Sequence, residues 1–336
     1  MSMQLVEQHV IKRTDSRYEA IDRAAFASKN LYNAALYEMR QAFIFGGKRL
    51  RYEELYHRMK SHPAYKALPA KGAQQVLKLL DKNWTAWEEA LKEWEVHPEK
   101  FLGRPCLPKY KDKQKGRNIL IYTIQAIAAP ALREGRIVPS GLPIVVNTAH
   151  TNVDQVRIVP RHGHYVVEVV YEREETQANV DPALIASVDI GVNNLVALTS
   201  NKVGFMPRLV NGRPLKSINQ YYNKRHAELQ GKLMKMDARR RTSNRIEQIT
   251  NKRTRRIDHY LHTVSRRVID LLVAEGIGTL IIGKNPNWKQ EVNIGKRNNQ
   301  NFVSIPHARF IHLLSYKAQL VGIQVILTEE SYTLIF

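Results

Sequence analysis

The hydrophobic period of this chain changes twice along its length, which restricts it to an assembly of unlike parts. YEAIDRAAFASKNLYNAALYEMRQAFIF (18–45) sets Ala24, Leu31, Ala35 and Met39 near helical spacing, with Arg and Asn on the other face. Gly46-Gly47 ends that helix, and AKGAQQVLKLLDKNWTAWEEALKEW (70–94) forms a second. Its stripe Trp84, Trp87 and Trp94 reads as core in preference to a base-stacking platform. GRPCLPKYKDK (103–113) breaks the pattern with two prolines and a run of lysines. Short period-2 runs follow at 118–124, 136–140, 143–147, 155–160 and 164–172, divided by Ser140-Gly141 and His162-Gly163. They predict an antiparallel sheet or a small barrel, and MQLVEQHVIK (3–12) alternates in the same way, so the helical region reads as an insertion into a β-domain.

From 184 the pattern changes again. LIASVDIGVNNLVALTSN is a buried strand, a tight turn and a second strand; a long basic helical stretch fills 216–275. GTLIIG (278–283) and IQVILTEESYT (323–333) are further strands, with a helix at 307–322 between them. Strands alternating with helices predict an α/β domain.

Charge narrows the partners. The 336 residues hold 52 Lys+Arg against 31 Asp+Glu, a net charge of +21. The surplus is clustered: residues 202–256 contain sixteen Lys/Arg and three acids, Glu228, Asp237 and Glu247. A phosphate-binding face explains such clustering, whereas a solvated face intersperses the signs. Cys106 is the single cysteine, which excludes an internal disulfide and a cysteine-built zinc site within this sequence, so no zinc is expected. No apolar run approaches the roughly 18 residues of a membrane span, and the start, MSMQLVEQHVIKR, has no apolar signal core. The expectation is an intracellular protein of the cytoplasm, associated with the nucleoid, with no membrane partner.

The sharpest chemical signal is Asp189 in VDIGVNN. An apolar strand delivers a carboxylate at its end, and Gly191 lets the chain turn beside it. RNase H-like nucleases use this arrangement to bind Mg²⁺ while phosphodiester backbone lies across the sheet. Sugar kinases and actin-like ATPases share D-x-G, and a plain hairpin with a capping Asp is the structural alternative.

The blocks KNLYNAALYEMRQ, QQVLKLLDKNW, GRPCLPKYK, SVDIGVNNLVAL, LKSINQYYNKRHAELQ, DHYLHTVSR, IIGKNPNWKQE, GKRNNQNFVSIPHARF and YKAQLVGIQVILTEESYT occur here in order. Together they resemble the TnpB (also called OrfB) proteins of bacterial insertion sequences, relatives of the type V CRISPR effectors. The resemblance implies an α+β multidomain chain: a helical recognition lobe (17–109) inserted in a wedge-type β-barrel (1–16 and 110–180). An incomplete RuvC (RNase H-like) α/β domain (181–336) follows. It also implies a guide RNA and a double-stranded target DNA as partners.

The family's nuclease needs three carboxylates. Asp189 matches the first; at the second this sequence has Lys284, with Glu330, Glu329 or Glu291 as substitutes and Glu330 the preferred one. The third is expected in a segment, often bearing a zinc ribbon, that follows Tyr332-Thr333, where the sequence reaches Phe336. Several carboxylates are needed to clamp two divalent cations, so a single Asp is a poor clamp. Lys284 either points inward against a cation or outward to nucleic acid. Mg²⁺ is expected only if the nuclease is active, with Asp189 as its ligand.

The resemblance assigns nucleic-acid contacts to Lys109, Lys111 and Lys113 at the junction after the helices. On the basic helical stretch it assigns them to Lys216, Asn219, Tyr221, Tyr222, Lys224, Arg225, Arg239, Arg240, Arg241 and Arg253. Lys289, Lys296 and Arg297 fall in a loop that reads as phosphate-binding or as plain exposed surface. Guide–target duplexes are recognised through backbone and shape, which suits clustered Lys and Arg. Asn30, Tyr32, Asn33 and Gln74 are candidates for reading a short duplex motif beside the target. Two functions stay open: an RNA-guided protein that occupies DNA without cutting, in the manner of a repressor, or a Mg²⁺-dependent RNA-guided endonuclease using Asp189 and a relocated Glu. A decayed transposon remnant that binds RNA alone is a third.

Overall fold

The computed structural model describes residues 2–237, 241–284 and 295–329, with only the backbone of Lys296 and Arg297. The chain is mixed α and β and divides into two compact units, Gln4–Arg173 and Glu174–Phe336, the latter including Met1–Met3.

The first unit carries α1 (Tyr18–Gly46), α2 (Tyr52–Met59), α3 (Pro63–Lys66) and α4 (Ala70–Val96). α1 ends where its glycines predict, with Gly47 left-handed at φ 66° and its N–H returning to Phe43 O at 3.1 Å. Ile21, Leu31, Leu36 and Met39 of α1 meet Leu77, Leu80 and Trp84 of α4 in one fully buried core. Trp84 is completely enclosed; Phe43 and Trp87 pack edge-on against it at 5.4 and 5.6 Å, so two of the three tryptophans are spent on packing.

Strands β1 (Ser2–Lys12), β2 (Leu120–Thr123), β5 (Val153–Arg161) and β6 (His164–Glu174) form one sheet in the order β1-β6-β5-β2. Helix α5 (Ala129–Arg133) and the pair β3 (Arg136–Ile137) and β4 (Val146–Asn147) stand outside it. Among the described residues the sheet has two ends, β1 and the four-residue β2, and does not close into a barrel. β6 alternates less than its sequence predicts. Tyr165 to Val170 are all buried because neighbours flank the strand on both edges and both faces are covered; Glu168 among them is held by Arg157 at 2.9 Å.

The second unit is built on a five-stranded sheet in the order β11-β10-β7-β8-β9. Its members are β7 (Asp181–Asp189), β8 (Asn194–Ser200), β9 (Arg208–Asn211), β10 (Ile277–Gly283) and β11 (Gln324–Thr328). β10 runs parallel to both β7 and β11, whereas β8 is antiparallel to β7 and to β9. The connections that make parallel pairing possible are helical, as such crossovers must be. α6 (Arg213–Met236) and α7 (Asn244–Ala274) precede β10; α8 (Lys296–Ser304) and α9 (His307–Gln319) precede β11.

The single basic helical stretch expected over 216–275 is two helices. α6 closes at Asp237, which is extended, and α7 opens at Ser243, whose hydroxyl accepts from Ile246 N at 3.3 Å. α7 has 31 residues, about 46 Å of helix, and its two halves differ. Ile257, Leu261, Val264, Val268 and Leu272 lie at i, i+4, i+7, i+11 and i+15 and join Ala186, Val188, Leu280 and Ile282 of the sheet in one core. Ahead of Ile257 it buries only Ile246 and packs along α6.

Candidate nucleic-acid interface

Asp189 ends the middle strand of the five. Alternation along β7 buries Ala186 and Val188 on the helix-covered face and leaves Ser187 and Asp189 exposed on the other. The register gives its neighbours. Asp189 pairs with Ala197 of β8; Val188 pairs with Ile282 of β10, so one step on Gly283 stands abreast of Asp189, and Gly283 pairs with Thr328 of β11. Around the carboxylate the open face therefore carries small or uncharged residues. Lys284 continues the ladder, its N–H donating to Thr328 O at 2.8 Å, and by the same alternation it belongs with Ile282 on the opposite face.

The turn after Asp189 is held from outside itself. Gly191 N donates to Asn194 O at 3.1 Å, and a Cβ at Gly191 would lie 2.8 Å from that oxygen, so close approach is what excludes a side chain there. The start of α6 grips the same turn: Gly212 N donates to Asn193 O at 2.7 Å, and Lys216 Nζ to Asn193 Oδ1 at 2.8 Å. A Cβ on Gly212 would meet Val192 O at 2.4 Å. Gly212 is a positioning residue the sequence did not single out, since neither of its partners is near it in sequence.

α6 and α7 run together and carry the positive charge. On one stripe of α7, Arg245, Lys252 and Arg256 lie at i, i+7 and i+11 and face Ile218 and Tyr221 of α6 across a hollow of about 210 Å³ floored by Ile249. None of these three cations pairs with a carboxylate among the described residues. Arg253 also lines the hollow, and it donates to Oδ1 of Asn219, which is 1% exposed, at 2.6 Å and to Ser304 O at 3.0 Å. The Arg253 guanidinium also lies 5.1 Å from the ring centroid of Tyr222, whose hydroxyl bonds Thr250 Oγ1 at 3.1 Å. Burial lowers the pKa of Arg253, opposed by Tyr222.

Residues 168–289 match the model of the OrfB_IS605 family, described as "Probable transposase". That match spans the end of the first unit and the second unit as far as the strand β10 and just beyond it. No curated protein matches it. Among solved structures, a Cas12f1–sgRNA–target DNA complex superposes at a TM-score of 0.56 with 15% identity, over 93% of this chain and 73% of that one. The two share a fold at that level. A CRISPR–Cas12f ternary complex, also 15% identical and covering 94% and 72%, gives 0.35, below the range in which topologies compare.

The structure places the expected contact residues unevenly. Tyr221 and Lys224 are exposed on α6, and Arg241 is exposed ahead of α7. Arg225 is half-buried and pairs with Glu228 at 2.5 Å, and Lys216 serves the turn. Asn219 is a correction: it lies inside, its amide and carbonyl spent on Ser304 and Arg253, because a buried amide must find partners. Arg253 and Tyr222 brace α6 against α7 in the same knot. Arg245, Lys252 and Arg256 were not singled out from the sequence, although their spacing on one helix face was the available signal. In the other unit, Lys109 and Lys113 are exposed, while Lys111 is tied down through its backbone to Asn33 and through its ammonium to the Tyr32 ring at 5.1 Å. Tyr32 and Asn33 are thereby used in packing. Arg239, Arg240, Lys289, Glu291 and Glu330 lie outside the described residues, as do the side chains of Lys296 and Arg297.

Mg²⁺ takes about six oxygens and usually keeps one or two protein carboxylates plus phosphate. Among the described residues no three His, Cys, Asp or Glu side chains gather, and at Asp189's level the flanking strands present Ala197, Gly283 and Thr328. These described residues do not by themselves fit a pair of divalent ions.

Proposed function

We propose that this chain binds a guide RNA and, through it, a target DNA duplex, which it occupies without cutting. The observation that carries the reading is the α6–α7 pair: cations without carboxylate partners among the described residues line one continuous surface in the segment that matches the transposase family. Clustered Lys and Arg recognise a guide–target duplex through its phosphates and shape. The Cas12f1 structure of like fold is of a complex with sgRNA and target DNA, which supports the same partners here. On this reading the five-stranded unit is RuvC-like, the four-stranded sheet is the wedge-type element, and α1 to α4 make the recognition lobe.

Occupancy without cleavage is supported by the surroundings of Asp189, where, among the described residues, the neighbouring strands offer Gly283 and Thr328 at its level and no second carboxylate. The test uses purified chain with its co-purifying RNA and a labelled duplex matched to that RNA, in Mg²⁺ or Mn²⁺. Wild type and Asp189→Ala are expected to retain the duplex equally and leave both strands whole. Guide-dependent cleavage that disappears in Asp189→Ala would replace this reading with a Mg²⁺-dependent endonuclease.

A further inference from the structure

The hollow between α6 and α7 has a composition that a smooth duplex backbone does not require. Phosphates of a duplex are met by cations standing out from a surface, and they need neither a recess nor an aromatic wall. Here a recess of about 210 Å³ combines four arginine or lysine side chains of α7, Arg253 among them, with an aliphatic floor, Ile218 and Ile249, and the ring of Tyr221 at its edge. That volume is below the roughly 300–1,000 Å³ of sites for drug-sized ligands, so it suits one planar ring system. Tyr221 is 63% exposed and its ring has no stacking partner among the described residues, whereas Tyr222 beside it is engaged with Arg253 and Thr250. No carboxylate lines the recess among the described residues, which excludes a cationic ligand and favours one carrying negative charge.

We infer that this recess takes one unpaired nucleotide of a nucleic-acid strand, its base stacked on Tyr221 over Ile218 and Ile249 and its phosphate among Arg245, Lys252 and Arg256. This deepens the nucleic-acid reading above and rests on it. Bases in a duplex are stacked on one another and cannot offer a face to Tyr221, whereas an unpaired base can. Because every base has a π-face, the recess is tolerant of sequence. It distinguishes paired from unpaired nucleic acid, where the exposed cations of the same helices do not.

The test titrates the full chain with a fluorescent RNA single strand of about twelve nucleotides and with a blunt duplex of equal length, at one salt concentration. Adenosine monophosphate is added as a competitor in a third arm. Stacking of one base corresponds to roughly 5–150-fold in affinity. Tyr221→Ala is expected to weaken the single strand by about ten-fold while the duplex changes by less than about two-fold. Lys252→Gln with Arg256→Gln is expected to weaken the strand and, in a salt titration, to flatten its dependence by about 0.7 for each phosphate no longer neutralised. Equal losses for strand and duplex in Tyr221→Ala, or no loss in either, would overturn the inference. Competition by the mononucleotide at an affinity equal to the strand's would overturn the strand as its source. A separate arm compares the co-purifying RNA with a scrambled RNA of the same length. Loss of preference there would remove the guide reading and leave the recess result standing.

Discussion

Arg253 Nε donates to Asn219 Oδ1 at 2.6 Å, joining α6 to α7 under the basic surface. Both residues carry the polar chemistry expected of a nucleic-acid contact, yet they face each other. Removing one partner strands the other in a buried setting, which costs about 1–3 kcal/mol. Asn219→Ala is therefore expected to lower the stability of the second unit in urea by that amount. Its effect on nucleic-acid affinity, measured well below the transition, should stay under about three-fold. A large fall in affinity at unchanged stability would return Asn219 to the surface role its sequence context implied.

Gly212 and Gly231 both lie on or beside α6 and should respond oppositely to alanine. At Gly212 an added Cβ meets Val192 O at 2.4 Å, in the turn that follows Asp189. Overpacking of that kind costs about 1–3 kcal/mol. At Gly231, inside the helix, nothing lies within 4 Å, so alanine gains about 0.5–1 kcal/mol of helix propensity. Thermal melts of Gly212→Ala and Gly231→Ala are expected to shift down and up respectively.

The basic segment after α4 is stapled to α1 through its backbone. Asn33 donates to Lys111 O and accepts from Lys111 N, each at 2.9 Å, and Lys29 Nζ, 2% exposed, donates to Lys113 O at 2.7 Å. Burial lowers the pKa of Lys29, which has the carbonyl in place of a carboxylate. Asn33→Ala removes two hydrogen bonds worth about 1 kcal/mol each. Local opening should then expose the lysines, and brief trypsin treatment is expected to cut at Lys109, Lys111 or Lys113 several-fold faster than in wild type. Unchanged cleavage would mean that the staple contributes nothing to the order of the loop.

Lys317 gives the second unit a pH dependence of known sign. It is 9% exposed between α7 and α9, its ammonium donating to His262 O at 2.8 Å and Ser265 Oγ at 2.7 Å. Burial, with Arg266 nearby, brings its pKa down to about 8, while in the unfolded chain it stays near 10.5. Between those values the unfolded state holds more protons, so stability rises with pH through this window. The gain from about pH 8 to about pH 9.5 is up to about 2 kcal/mol. Denaturation midpoints of wild type should climb over that interval relative to Lys317→Met, which lacks the titrating group; parallel curves would refute the assignment.

Elements whose burial is settled by one neighbour were legible in the chain. The helices at 18–46 and 70–96 fall within two residues of their apolar stripes, and the apolar run before Asp189 marks a strand ending on a carboxylate. Partnerships across long separations were not. β6 alternates in sequence, but β1, more than 150 residues away, pairs along its edge and helps to cover it, which erases the alternation in burial. Nor does local pattern distinguish Asn219 from Tyr221: they are two residues apart on one basic helix, one inward and one outward.

The two long helices of the first unit, the charge surplus concentrated in 202–256 and the placement of Asp189 at a strand end were settled along the chain. They follow from periodicity and composition, which act over a few turns of backbone. The register of β7 against β10 and β11 arises only in three dimensions, because pairing depends on strands about 90 and 140 residues downstream. That register sets Gly283 and Thr328 at the level of Asp189 and turns Lys284 to the other face. The same holds for the recess beside Tyr221, formed only when α7 lies along α6 and brings its cations to that ring.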